Sequence, residues 1–258
     1  MKNILVVSRL ALLESVRNRI FIGLLVFLLL FLSFAIYVST LSLGEVARFI
    51  QNAGMAGMSV TCLAVVILFG LYSLYQEKDR NELYVLLNRV SRPAYLMGRF
   101  LGTAWILAIF SLVAGAGVFV VTWVFGEVIS PALFQAVYWT VLEFSLVAGI
   151  GLLFYAMGIG FTLNALLLLA VYAVGHSLTE AVQSFIGLGV FGNPYHLKFV
   201  QILSHIFPNF DMFNFRLDII HNDPVDWGKF ALSTLYWAFY LTAVLSVAGA
   251  VFGRRDVD

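Results

Sequence analysis

Charge is what this sequence most lacks. Of its 258 residues, 15 are Lys or Arg and 14 are Asp or Glu, or 11% together, where a soluble domain carries about 25%. Mean hydropathy is +0.96, and 24 residues are Phe. That much apolar surface cannot be hidden inside one globule, so the composition is that of an integral membrane protein. Cysteine is nearly absent as well. Cys62 stands alone in an apolar run, which excludes disulfides and Cys-based metal sites within one chain. The phosphate-binding loop G-x-x-x-x-G-K-[ST] is missing, because the only Gly-Lys pair, Gly228-Lys229, is followed by Phe230. No cleavable leader is expected: Lys2, Arg9, Arg17 and Arg19 precede an apolar run of full spanning length, the pattern of a retained anchor.

What is present follows from where the few charges fall. Charge-free runs occupy 20–44, 49–76, 100–126, 128–142, 144–179 and 230–253. A helix needs roughly 20 apolar residues to cross a hydrocarbon core about 30 Å thick. The run at 144–179 is too long for one span, and "MGIG" at 157–160 offers a break. The expectation is an all-α polytopic fold in one domain, residues 1–258. Its six spans are placed near 20–42, 55–75, 100–125, 133–157, 160–178 and 230–252.

Lys and Arg accumulate on cytoplasmic loops. With the amino terminus inside, the inner side holds Lys2, Arg9, Arg17, Arg19, Lys78, Arg80, Arg89, Arg92, Arg99, Arg254 and Arg255, and the outer side holds Arg48, Lys198, Arg216 and Lys229. Eleven against four predicts cytoplasmic termini. Residues 179–229 then lie outside. They are rich in aromatics, as in "FIGLGVF" and "HIFPNFDMFNF", so they are expected to pack back on the bundle or dip into the bilayer as a re-entrant pair of short helices. A small globular cap is the alternative.

One dense cluster of charge interrupts the apolar runs. The stretch "YQEKDRNELYVLLNRVSRPAYLMGRF", 75–100, holds 8 charged residues. Residues 77–90 read as a short amphipathic helix. Its acids Glu77, Asp79 and Glu82 come first and its base Arg89 last, with Arg92 just beyond, which complements the helix dipole. Leu83, Leu86, Leu87 and Val90 form one apolar stripe. Ser91-Arg92-Pro93 ends it, and Pro93 suits the first turn of the next helix. Such a segment fits a groove on a partner or lies against lipid headgroups.

The order acid-base-acid, Leu-rich helix, Ser-Arg, Tyr, "GRFLG" resembles the cytosolic stretch of ABC-2-type permeases, the membrane subunits of one class of ATP-binding-cassette transporter. The matching residues are Glu77, Lys78, Asp79, Leu86, Leu87, Ser91, Arg92, Tyr95, Leu96, Gly98, Arg99, Phe100, Leu101 and Gly102. The sequence departs at Asn81, where the family usually has Gly, and at Val90, near a common Pro. "FPNFDMFNFR", 207–216, is similar to the outer segment of the branch linked to multi-copper enzyme maturation. The resemblance implies an amino-terminal interfacial helix at 2–19 and a coupling helix at 76–92 that docks on an ATPase subunit. Leu83, Leu86 and Leu87 would be its anchors, Glu77, Arg80 and Glu82 its polar rim, and Arg92 its end. It further implies two ATPase copies carrying ATP and Mg, a second permease copy or a paralogue, and a prokaryotic plasma membrane. It implies no nucleic acid and no cofactor on this chain. Within segment 2–19, Glu14 and Arg17 are expected to form an i,i+3 pair. Small residues could let helices meet closely at Gly98/Gly102, Ala156/Gly160, 114–117 and 148–151; a dimer contact is the less favoured reading of each, since such spacings are frequent by chance.

Four residues stand out inside or beside the spans. Glu143 is the one acid inside a predicted span, where insertion costs roughly 3 kcal/mol, so it should face protein or a watery cavity. A role in a substrate path or gate, a structural hydrogen bond, and a place nearer the outer interface are its three readings. Asn164 is a weaker case of the same kind. His176 and Glu180 lie one helical turn apart and read as a structural hydrogen bond, with a metal or pH-sensitive pair as the sharper alternative. His196, His205 and His221 lack ligand spacing, so no metal site is expected. "HNDPVD" at 221–226 has one N-D-x-x-D, like half of the motif pair of intramembrane prenyltransferases, but is better explained as a turn. The function that the resemblance implies is an export permease without enzymatic activity of its own. A stand-alone channel or secondary transporter is the alternative, and an intramembrane enzyme a more distant one, since paired carboxylates and Ser/His pairs are missing.

Overall fold

The computed structural model describes residues 2–39, 46–80, 82–125, 132–187, 207–214 and 227–255. Every regular element among them is helical. An amino-terminal helix, α1 (Lys2–Arg17), leads into α2 (Arg19–Ser39). Next, α3 (Val46–Val65) runs through a π-helical segment, Val66–Tyr72, into α4 (Ser73–Asp79), so that Phe49–Asp79 forms one rod. A short α5 (Glu82–Leu87) precedes the long α6 (Arg92–Val124), with Pro93 in its first turn. The remainder is α7 (Ala132–Ala156), α8 (Phe161–Gly187), a 3-10 turn at Phe210–Phe213, and α9 (Trp227–Arg254).

Five of these helices are long and apolar enough to cross a membrane: Arg19–Ser39, Phe49–Asp79, Arg92–Val124, Leu133–Ala156 and Trp227–Arg254. The chain is a polytopic helical membrane protein. α8 contributes a shorter apolar stretch, Phe161–Ser177. Two spans start earlier or end later than hydropathy predicts. At 1.5 Å per residue, α6 is about 50 Å long and the Phe49–Asp79 rod about 46 Å, both longer than a hydrocarbon core. The surplus is the charged segment itself, wound onto the ends of the spans.

That surplus corrects the reading of 77–90 as one helix. Glu77 and Asp79 end α4, the chain turns at Arg80 with φ −87° and ψ 3°, and only Glu82 lies in the first turn of α5. Asn81 lies outside the described residues. The break expected at 157–160 is present. α7 ends at Ala156, and Gly158 takes φ 87° with the Arg255 guanidinium 2.9 Å from where a Cβ would stand. The left-handed backbone requires glycine there.

α7 is the central helix. Of its most apolar stretch 72% is buried, against 17% for α2 and for α9. Small residues let its neighbours approach: Gly149 meets Leu241 of α9 and Gly151 meets Leu71 of the rod, while Gly115 of α6 meets Val137 of α7. α1 lies along α6, where Gly98 meets Val7 and the Ile4 carbonyl and Gly102 meets Ala11 and the Ser8 carbonyl. These small-residue sites, offered by the sequence as contacts of a dimer, are thus occupied within the chain. A Cβ on Gly160 would meet nothing within 4 Å. The outer face of α1 exposes Leu5, Val6, Leu10, Leu13 and Val16 alongside Arg9, the mixture of an interfacial helix.

Candidate functional site

The two ends of the bundle differ in chemistry. One carries the start of α1, the end of α9, the start of α6 and the α4–α5 turn, and is the basic end. The other carries the 207–214 segment and the start of α9, and is the distal end.

At the distal half a polar site is built on α7 and α8. Glu143 lies about 16 Å along α7 from Ala132, close to mid-helix. It is buried, and its Oε1 is 2.7 Å from Nε2 of His176, itself 28% exposed. The two residues named separately from the sequence are therefore partners. They are 33 positions apart on different helices, so no local spacing signals the pair. The expected partner of His176, Glu180, has a side chain outside the described residues. His196, His205, His221 and the 221–226 motif lie outside them as well, as does most of 179–229.

The described part of that outer segment packs onto the bundle. Phe210 and Phe213 are buried in the main core, and Asn209 N donates to Tyr236 Oη at 2.9 Å. Gly175 admits this segment, since a Cβ there would stand 2.4 Å from the Phe210 ring. Phe210 stacks on His176 with ring centroids 5.6 Å apart at 28°, and Tyr172 meets the same imidazole edge-on at 4.7 Å. A cavity of about 360 Å³ opens beside the pair, lined also by Ser59, Thr140, Ser177, Phe213 and Asn214. An acid, an imidazole, hydroxyls and aromatic faces around such a space suit it to water, protons or a cation. Glu143 and His176 supply only two ligands, and among the described residues no group of three His, Cys, Asp or Glu converges as a metal site would require.

Asn164 is not part of this site. It sits about 18 Å down α8 from His176, fully buried at the basic end. Its Nδ2 donates to Tyr75 Oη at 3.0 Å and to the Gly151 carbonyl at 3.1 Å, while Tyr75 Oη donates to the Ile159 carbonyl at 2.5 Å. These bonds tie the α7–α8 break to the rod. Asn164 is a structural clasp.

The residues expected to face an ATPase divide into inward and outward sets. Glu77 is buried and forms an ion pair with Arg99 of α6, and it accepts a 2.5 Å hydrogen bond from Tyr95 Oη. It is therefore not a polar rim. Its charge needs the guanidinium, because an unpaired carboxylate at this burial would be costly. Arg99 also reaches Glu14 at 3.5 Å, which takes the place of the expected Glu14–Arg17 pair. Leu83 is fully buried in the same apolar cluster as Val7, Leu74 and Tyr95, so it anchors α5 to its own bundle. Leu86 and Leu87 are half-buried. The outward face consists of Arg80, Glu82, Val85, Asn88 and Arg89; Val85 is 67% exposed. Arg92 turns to the carboxyl end of α9, donating through Nη1 to the carbonyls of Gly253 and Arg255. Arg255 in turn donates to the Tyr155 carbonyl at 3.2 Å.

Sequence reasoning missed Tyr95, Arg99 and Arg255 as members of these networks. The signal for Arg99 was a basic residue between Gly98 and Gly102, glycines that bring a second helix over it. No family model matches this chain, and no curated protein does.

Proposed function

We propose that the chain is the permease subunit of an ATP-driven ABC exporter, embedded in a prokaryotic plasma membrane with its basic end in the cytosol. α8 would complete a set of six spans. Two such chains, or one with a paralogue, would form the path, and two separate ATPase subunits would bind ATP and Mg. The observation that carries the reading is the mounting of α5. This helix joins the rod to α6, two elements that the Glu77–Arg99 pair binds to each other; Leu83 fastens it to the bundle, and Glu82, Val85 and Arg89 face outward. A push on that face moves two spans together. The resemblance of residues 77–102 to ABC-2 permeases supports the same assignment. The coupling surface is accordingly shifted from Leu83 to Val85, with Leu86 and Leu87 at its edge. The Glu143–His176 cavity lies in the path.

The test is a gentle-detergent pull-down of the tagged protein from its own organism. A stoichiometric subunit with a phosphate-binding loop is expected. Val85→Glu with Arg89→Glu, both at exposed positions, should remove that subunit while leaving membrane insertion and thermal stability intact. A clean homo-oligomer across several detergents, or a complex that survives the double change, would sink the proposal. A proton-coupled secondary transporter is the second reading, favoured by the Glu143–His176 pair; it predicts uptake driven by a pH gradient without ATP.

A further inference from the structure

Between α6 and α9 runs a groove of about 590 Å³, with Pro93, Leu96, Phe100, Leu245 and Gly249 in its wall. Its lining is overwhelmingly apolar and it opens on the outside of the bundle, where Met97 and Ala250 are exposed. On α9 it extends from Leu241 to Ala250, about 13 Å of helical rise. That is close to the hydrocarbon depth of a single leaflet, half of about 30 Å.

The groove ends in positive charge. Arg92 immediately precedes Pro93, and Arg254 stands one turn beyond Ala250 on the same face of α9. Arg254 is exposed and Arg92 half-exposed. Among the described residues no carboxylate lies within ion-pair distance of either. The carbonyls at the end of α9 would repel an anion, but Arg92 covers those of Gly253 and Arg255.

We infer that this groove is a binding site for an anionic phospholipid of the leaflet at the basic end, one acyl chain lying along Leu245 and Gly249 and the phosphate meeting Arg254 and Arg92. Basic pockets between spanning helices bind anionic headgroups in this manner. The groove is one leaflet deep, which an acyl chain matches. The inference requires only that the chain spans a membrane, and stands whether or not the protein is a permease.

Native mass spectrometry of the purified full chain, titrated with phosphatidylglycerol or phosphatidylcholine of identical acyl chains, tests it. Phosphatidylglycerol should be retained preferentially. Arg254→Gln should lower retention of phosphatidylglycerol roughly fivefold, the effect of one basic residue at an anionic surface, and that of phosphatidylcholine, whose choline cation offsets its phosphate, by less. Gly249→Phe should abolish retention of both. A Cβ at 249 meets only Pro93 Cβ, at 3.8 Å, so the ring enters the groove without displacing backbone, and an unchanged melting temperature verifies the fold. Equal retention of the two lipids by the unsubstituted protein would overturn the inference. So would a preference untouched by Arg254→Gln, or a groove sealed by a second copy of the chain in a lipid-free dimer that Gly249→Phe dissociates.

Discussion

The basic end and the distal half of this bundle hold their polar groups in opposite ways. At the basic end Glu77, Arg99 and Tyr95 are all buried and bonded to one another, Arg92 and Arg255 seal the carboxyl ends of α9 and α7, and α1 lies at glycine distance on α6. In the distal half the Glu143–His176 pair stands beside a cavity, under a single 3-10 turn rather than a long helix. In the first arrangement each helix is fixed to the next by charge as well as by packing. The second leaves space beside the pair that a few water molecules would fill. The Phe49–Asp79 rod reaches both, and its π-helical segment Val66–Tyr72 falls between them, a type of irregularity that recurs at functional sites.

The largest expected effect breaks the rigid end. Arg99→Ala leaves Glu77 buried without its counter-charge and should cost about 3–5 kcal/mol, measured by denaturant unfolding in a mild detergent. Adding Glu77→Ala should restore part of that loss, since the uncompensated carboxylate is then gone. If Arg99→Ala unfolds at the same denaturant concentration as the parent, the pair contributes nothing and the rigid end must be ascribed to packing alone.

Why the sequence revealed the spans but not this pair is a matter of range. Hydropathy and helical period are local, so the charge-free runs placed α2, α6, α7 and α9 and the break at 157–160. The start of α6 is legible at Pro93, from which the helix is expected to run through Tyr95 and Arg99 into the third span, as it does; the length of the rod is not, because Glu77 and Asp79 read as the start of a separate helix. Glu143 and His176 were each legible as a polar residue in an apolar run, but their pairing depends on how α7 and α8 cross. Glu77 and Leu83 were assigned outward because an amphipathic pattern shows which residues share a face and not which side is covered. Asn164 was grouped with Glu143 for its chemistry, though 18 Å of helix separates it from His176.

The cavity can be tested by reagent access. On a Cys62→Ser background, Ser59→Cys should react with a membrane-impermeant maleimide at least about tenfold faster than Ser111→Cys, an expectation from cavity-lining against fully buried positions. Ser59 lines the cavity and Ser111 is fully buried beside Cys62. Equal rates would mean that the cavity is closed to water and that the two halves are equally dense.

The smallest stability effect carries the most information about function. Glu143→Gln keeps the shape of the side chain and, with the amide turned to suit the imidazole, keeps a hydrogen bond to His176. It exchanges a charged bond for a neutral one, a change worth about 1 kcal/mol or less. His176 is 28% exposed, so solvent screens the pair further. If Glu143 serves only to hold α7 against α8, the variant should behave as the parent in every assay. If the carboxylate serves the cavity, proteoliposomes containing the variant should lose transport or proton flux while their melting temperature stays within a few degrees of the parent. A large fall in stability would instead make Glu143–His176 a second rigid tie, and the contrast between the two ends would disappear.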